Sequence, residues 1–186
     1  HYATPEQKGV YTPYKRDPET GARYWAIPGQ EGYEHILGGL EKDGDTGAIS
    51  TDPENHDKMC RLRAAKVFKI PVPDLEVQGD ADDADLLIVG FGGTFGHLYS
   101  AMEEMRSAGH KVALAHFNYI NPLPKNTAEV LGKYKKVVVA EQNLGQFAGY
   151  LRMRIDNFMP YQFNQVKGQP FVVGELVKAF TKIINN

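Results

Sequence analysis

Cysteine is nearly absent, with Cys60 alone in 186 residues. One thiol makes no intrachain disulfide. Nor does it ligate a cysteine zinc site or an iron–sulfur cluster, both of which take several thiolates. A charge excess of one sign is missing too. With 21 Lys+Arg against 23 Asp+Glu the formal net charge is −2, which supplies no electrostatic drive toward nucleic acid or an anionic membrane. No apolar run reaches the ~18 residues of a membrane-spanning helix. His1-Tyr2-Ala3-Thr4-Pro5 lacks the basic stretch and apolar core of a secretory signal. These absences lead us to expect a cytoplasmic chain with no nucleic-acid and no membrane partner. What is present is ordinary: 42% hydrophobic and 24% charged residues, the composition of a soluble globular protein. The length suits one domain, or one domain with an arm, and buries roughly 70% of the unfolded surface without a staple.

Glycine and proline are unevenly spread. Residues 1–57 hold 8 of the 19 glycines and 5 of the 11 prolines, too many breakers for long helices or strands. Yet the same segment carries Tyr11, Tyr14, Tyr24, Trp25, Tyr33 and Ile36-Leu37, whereas disordered linkers are poor in aromatics. Residues 1–57 are therefore read as an extended arm packed on its own domain or on a partner. Asp52-Pro53 marks a helix start, with Asp as N-cap and Pro at the first helical position. That helix is expected to run to about Lys69, with Met59, Leu62, Ala65 and Phe68 as its apolar stripe, until Pro71 and Pro73 end it. Residues 58–83 are thus a helix and a connection, which includes a short edge strand at Leu75-Glu76-Val77. Asp80 to Asp85 is an acidic turn that lacks the central Gly and terminal Glu of a calcium loop. No internal repeat stands out.

From residue 84 to 186 strands and helices alternate. Leu86 to Phe91 is a continuous apolar run, as in a strand buried on both faces. Thr94 then caps a helix with Phe95, Leu98, Met102 and Met105 on one side, ending at Gly109. Strands follow at Lys111–Phe117, Lys136–Glu141 and Tyr161–Val166, and helices at Thr127–Gly132, Gly145–Phe158 and Gly174–Ile184. The alternation predicts βαβ units in a mostly parallel, doubly wound sheet, a three-layer α/β/α domain.

In that architecture ligands bind at the carboxyl ends of the strands. That edge is expected to carry Gly92, Gly93 and Thr94, then Asn118 and Asn121, then Glu141, Gln142 and Asn143, then Lys167. The turn Gly90-Phe91-Gly92-Gly93-Thr94-Phe95-Gly96 resembles a dinucleotide loop only loosely. Its spacing is G-x-G-G-x-x-G, and no acid ends the next strand to hold a ribose. A simpler reading has Gly92 and Gly93 shaping a tight turn and Gly96 bringing the helix close to the sheet. Glu141 is the one carboxylate on the rim, and a lone carboxylate makes no acid–base pair. No His pair has metal-ligand spacing, and His116 is read as a satisfied core histidine. Cys60 lies in the basic stretch Lys58-Met59-Cys60-Arg61-Leu62-Arg63. It is read as an inert residue against the Met59/Leu62 face, with no Ser or His close to it. Pro122 and Pro124 stiffen one loop of the edge, and Lys167-Gly168-Gln169-Pro170-Phe171 forms another.

Together these segments resemble a known family. Tyr24-Trp25-Ala26-Ile27-Pro28-Gly29, Gly32-Tyr33-Glu34-His35, Gly38-Gly39-Leu40-Glu41 and Asp52 to Met59 with Arg61-Leu62-Arg63 are followed in order by Gly90 to Gly96, Asn121-Pro122-Leu123-Pro124, Glu141 to Gln146 and Lys167 to Phe171. In this order they are similar to the C-terminal part of the alpha subunit of 2-oxoacid:ferredoxin oxidoreductases, most of all the 2-oxoglutarate branch. The resemblance implies a transketolase C-terminal-like domain over 84–186. It implies a complex that converts a 2-oxoacid, coenzyme A and oxidised ferredoxin into acyl-CoA, carbon dioxide and reduced ferredoxin. It implies thiamine diphosphate, magnesium and iron–sulfur clusters in the full complex, with none bound by this chain alone. The partners it implies are a pyrimidine-type thiamine domain of the alpha subunit ahead of this region, a beta subunit, a gamma-type segment or subunit, and ferredoxin. The matching residues Gly92, Gly93, Thr94, Asn121, Glu141, Asn143, Gln146, Lys167 and Gln169 are expected to face the partner, with no catalytic or cofactor role. The chain is expected to serve assembly and active-site framing. The alternatives are a stand-alone nucleotide-binding protein using the Gly90–Gly96 turn, or a small-anion regulatory module using Lys167 and the helix that starts near Gly145.

Overall fold

The computed structural model describes residues 2–186. They divide into two compact units, one ending at Pro71 and the other running from Val72.

The first unit is built from turns and one helix. Two turns share the pattern D-x-(E/D)-T-G-A, at Asp17–Ala22 and at Asp43–Ala48. In each, one carboxylate oxygen of the Asp accepts the amide of the residue two on and both the amide and the hydroxyl of the Thr. In each, the Gly has a positive φ, 70° at Gly21 and 77° at Gly47, which glycine alone adopts without strain. This short repeat corrects the expectation of none. The turns close the bridges Arg16–Arg23 and Lys42–Ile49. Helix α1 follows (Pro53–Phe68), with the Asp52 side chain accepting the Glu54 amide as anticipated. Its apolar stripe is covered only at the Met59 end, and Phe68 is 60% exposed. The other buried residue of α1 is Asn55, which donates to Lys42 O and accepts from Gly44 N, so α1 holds the second turn with a polar side chain.

The second unit is a five-stranded sheet in the order β1-β3-β2-β4-β5. Strand β1 (Val77–Gly79) is an antiparallel edge, while β2 (Leu86–Phe91), β3 (Val112–Phe117), β4 (Val137–Glu141) and β5 (Tyr161–Asn164) are parallel. The helices are α2 (Phe95–Ser107), α3 (Thr127–Gly132), α4 (Gln146–Arg154) and α5 (Val173–Asn185). Strand side chains alternate between faces. Leu87, Val89, Ala115, Val137 and Val139 meet α3 and α4, whereas Leu86, Ile88, Leu114, Val138 and Ala140 meet α2 and α5. The result is the expected three-layer, mostly parallel α/β domain.

Several limits differ from expectation, β5 ending at Asn164 rather than Val166 among them, and two have a clear cause. The edge strand begins at Val77 because both backbone groups of Leu75 are taken by the Asn126 side chain. Helix α4 stops at Arg154, since Ile155 is extended and Asn157 has φ 58°. Ile155 and Phe158 pack on the core from irregular chain instead.

The connection from β2 through α2 leads to β3 on one side, and that from β4 through α4 leads to β5 on the other. Adjacent β2 and β4 therefore mark the reversal point, where such sheets open a crevice at their carboxyl ends.

Candidate functional site

Both sides of that crevice are satisfied locally. After β2, Gly92 is exposed with φ 60°, and its carbonyl bonds His116 Nε2 at 3.0 Å. Gly93 and Gly96 stand in open space. The glycine that allows close helix packing is Gly90, where a Cβ would lie 2.2 Å from Leu98 Cδ1, so the role assigned to Gly96 is corrected. Thr94 is buried, and its hydroxyl donates to Phe91 O (2.9 Å) and accepts no α2 amide, which corrects its expected role as a side-chain cap. Phe95 is 39% exposed and packs edge-on against His116, outside the apolar face of α2 expected to hold it.

After β4 the chemistry is decided by Glu141. Its side chain is fully buried, and its two oxygens accept the amides of Phe147 (2.7 Å) and Ala148 (2.9 Å). Asn143 Oδ1 accepts the amides of Gly145 (2.8 Å) and Gln146 (2.9 Å). The donors that a helix start leaves free are thus occupied at α4. Glu141 is a buried helix anchor, which corrects its placement on an exposed rim. It also removes the proposed anion site at this helix, because a carboxylate already fills it.

The other residues of the edge are exposed. Asn121 accepts from Tyr150 OH (3.3 Å), and Gln169 O accepts from Gln142 Nε2 (3.0 Å). Lys167 pairs with Glu175 at 3.7 Å rather than standing free for an anion. Gln142 is thereby joined to the loop of Gln169, whereas the Gly92 turn and Asn121 are held by separate contacts. With its one acid engaged in this way, the described edge does not fit a magnesium–diphosphate group, and one cysteine does not fit a cluster.

A cavity of about 440 Å³ opens by the carboxyl end of β3, lined by Glu76, Gly92, Phe95, His116, Asn118 and Tyr119 among others. His116 is half-buried there, and desolvation holds its imidazole below the ordinary value. Its Nδ1 is buried without a partner among the described residues. The reading of His116 as a satisfied core residue is corrected on that point.

The first unit holds a cluster that sequence reasoning missed. His56 lies one helical turn before Cys60, with Nε2 3.6 Å from Sγ, and its Nδ1 is 2.7 Å from Glu41 Oε2. Arg63, one turn further, donates to Cys60 Sγ (3.1 Å) and to Glu41 Oε1 (3.0 Å). Arg63, then His56, hold the Glu41 carboxyl below its ordinary range. Cys60 is exposed, not buried beside Leu62, and the H-x-x-x-C spacing was the available signal for its partner. Glu41 arrives through the second turn, which spacing along α1 does not reveal. A carboxylate, an imidazole and a thiol within 4.8 Å of one another are also a metal donor set. The Arg63 guanidinium, bound to two of them, opposes a cation.

Residues 84–174 match the family model of pyruvate:ferredoxin oxidoreductase core domain II. The 2-oxoglutarate oxidoreductase subunit KorA of Mycobacterium tuberculosis is 48% identical over 89% of this chain. Over most of its length the chain is similar to members of the 2-oxoacid:ferredoxin oxidoreductase family. The 2-oxoglutarate synthase subunit KorA of Methanocaldococcus jannaschii is 32% identical over 76% of it. These matches span 25% and 37% of the relatives' own lengths. Among solved structures, the 2-oxoglutarate:ferredoxin oxidoreductase of Magnetococcus marinus, with 2-oxoglutarate, coenzyme A and succinyl-CoA bound, superposes with a TM-score of 0.78. That match has 30% identity and covers 92% of this chain and 30% of that one.

Proposed function

We propose that this chain is part of the alpha subunit of a 2-oxoglutarate:ferredoxin oxidoreductase. In the assembled enzyme 2-oxoglutarate, coenzyme A and oxidised ferredoxin become succinyl-CoA, carbon dioxide and reduced ferredoxin. The observation that carries this reading is the 48% identity to a 2-oxoglutarate oxidoreductase subunit over most of the chain. Thiamine diphosphate, magnesium and the iron–sulfur clusters belong in this reading to the rest of a cytoplasmic complex. That complex comprises the pyrimidine-type thiamine domain of alpha, the beta subunit and a gamma-type segment, and it delivers electrons to ferredoxin.

This chain's own part is to frame the neighbouring active site. The engagement of Glu141 supports that reading, because the crevice keeps its amides and backbone but no free acid. So do the exposed apolar groups at its rim, Leu144, Tyr119 and Ile120, and those of the first unit, Trp25, Ile27, Ile36 and Leu37. Buried apolar area of that kind drives subunit association. In this reading the unit ending at Pro71 is the arm of the assembly together with its helix, and the unit from Val72 is the domain that meets the partner through Gly92, Gly93, Asn121, Asn143, Gln146, Lys167 and Gln169.

The test is purification of the complete alpha subunit with its beta partner, followed by 2-oxoglutarate- and CoA-dependent reduction of methyl viologen. Leu144→Asp should lower the fraction of alpha that co-elutes with beta and lower activity in proportion. Equal turnover of pyruvate would overturn the substrate assignment, and full assembly of the variant would overturn the framing role of the crevice.

A further inference from the structure

Cys60 has the surroundings of an activated nucleophile rather than those of an inert surface thiol. Such a nucleophile is recognised by a base within hydrogen-bond reach that is itself oriented by a third group. His56 is that base. Glu41 is an acceptor, so Nδ1 carries the donated hydrogen, and Nε2 is left as the acceptor facing the Cys60 thiol. Glu41 is fixed in turn by Arg63, whose other nitrogen donates to the sulfur. The four side chains form a closed ring on the surface of α1 and the second turn.

A cavity of about 290 Å³ adjoins this ring, lined by Tyr14, Gly38, Leu40, Glu41, Lys42 and Arg63. Its size suits a small molecule. Its charged lining is two cations against one carboxylate: Arg63 is paired with Glu41, and the buried ammonium of Lys42 is bound to the carbonyls of Gly38 and Leu40. Arg61 and Lys58 lie nearby on α1, each paired with an exposed carboxylate, Asp57 and Asp45 respectively.

We propose that Cys60 is a thiol–disulfide exchange site for an anionic small-molecule disulfide, with His56 as the base and Glu41 and Arg63 as positioning residues. His56 Nε2 takes the thiol proton as Sγ attacks one sulfur of the disulfide. A new Sγ–S bond forms, the original S–S bond breaks, and its electron pair leaves on the second sulfur, which takes the proton from His56. Cys60 is oxidised to a mixed disulfide and half of the co-reactant is reduced to a thiol. No metal or further oxidant is needed. A second thiol reverses the step, so the modification is a reversible mark on a surface helix.

The probe is glutathione disulfide, with cystamine as its cationic counterpart. Each rate is divided by that of N-acetylcysteine with the same disulfide. Intact mass and peptide mapping should show one adduct, at Cys60, which dithiothreitol removes. The normalised rate with glutathione disulfide should exceed unity by about tenfold and exceed that with cystamine. His56→Asn and Glu41→Gln should each return it toward unity without moving the thermal midpoint, and Arg63→Ser should erase the preference for the anionic probe. If His56→Asn lowers the midpoint, Glu41→Gln, which keeps the imidazole, decides. A wild-type rate equal to that of N-acetylcysteine, or a Glu41→Gln rate equal to wild type, would overturn the proposal.

Discussion

Gly90 and Leu98 are in contact so close that a Cβ on the glycine would stand 2.2 Å from the leucine Cδ1. Leu98 is fully buried among Ala101, Met102 and Leu114 and has nowhere to retreat. A second neighbour, Thr94 Oγ1, would lie at 3.0 Å. Gly90→Ala should therefore destabilise the second unit by about 1–3 kcal/mol through overpacking. Gly93→Ala, a few residues on in open space, should stay within about 0.5 kcal/mol of wild type. Urea midpoints of the two variants measure the contrast.

Glu141 offers a second stability test. Glu141→Ala leaves the buried amides of Phe147 and Ala148 without acceptors, at a cost of about 2–4 kcal/mol. Glu141→Gln keeps one acceptor and should lose less. A Glu141 that faced a partner would behave oppositely, with unchanged chemical denaturation of the free chain and weakened assembly.

Acid should act on Asp80. Its carboxylate accepts Arg106 Nε (2.9 Å) and the Val112 amide (3.1 Å), tying the turn after β1 to α2 and β3. Arg106 is the main reason that the carboxyl titrates below its ordinary 3.8. The unfolded chain binds the proton first, so this contribution is complete above that value and is lost as pH falls through the depressed one. Asp80→Asn should flatten the acid limb of the stability profile, and salt should shrink the difference because the pair is partly exposed.

His116 has the opposite charge type but the same direction of loss. Burial keeps the folded imidazole neutral below its ordinary 6.5. As pH drops under that value the unfolded chain gains a proton that the folded chain resists, so stability declines. Replacing His116 by Gln should abolish the decline that begins there. Thermal midpoints between neutral and mildly acidic pH check it.

What could be read from the residues was what depends on short range. The continuous run Leu86–Phe91 declared a strand buried on both faces, Lys136–Glu141 declared another strand, and Asp52-Pro53 declared the start of α1. The order of motifs carried the family resemblance. Glu141 escaped because its partners, the Phe147 and Ala148 amides, exist only once β4 and α4 have docked. Gly90 and Gly96 are equally plausible close-packing points on paper, and only the helix position separates them. The link of Leu75 to Asn126 spans 51 residues. The pairing of His56 with Cys60 was within reach of a helical count, whereas Glu41 was not.

The carboxylate at the start of α4 has a broader meaning. In α/β proteins this position is commonly the berth of a diffusible anion, whose occupancy follows its concentration. Here the anion is part of the chain and never dissociates. The β4–α4 corner is therefore preloaded. It keeps one state at any metabolite level, and a single change at residue 141 would turn a permanent strut into a vacancy open to phosphate.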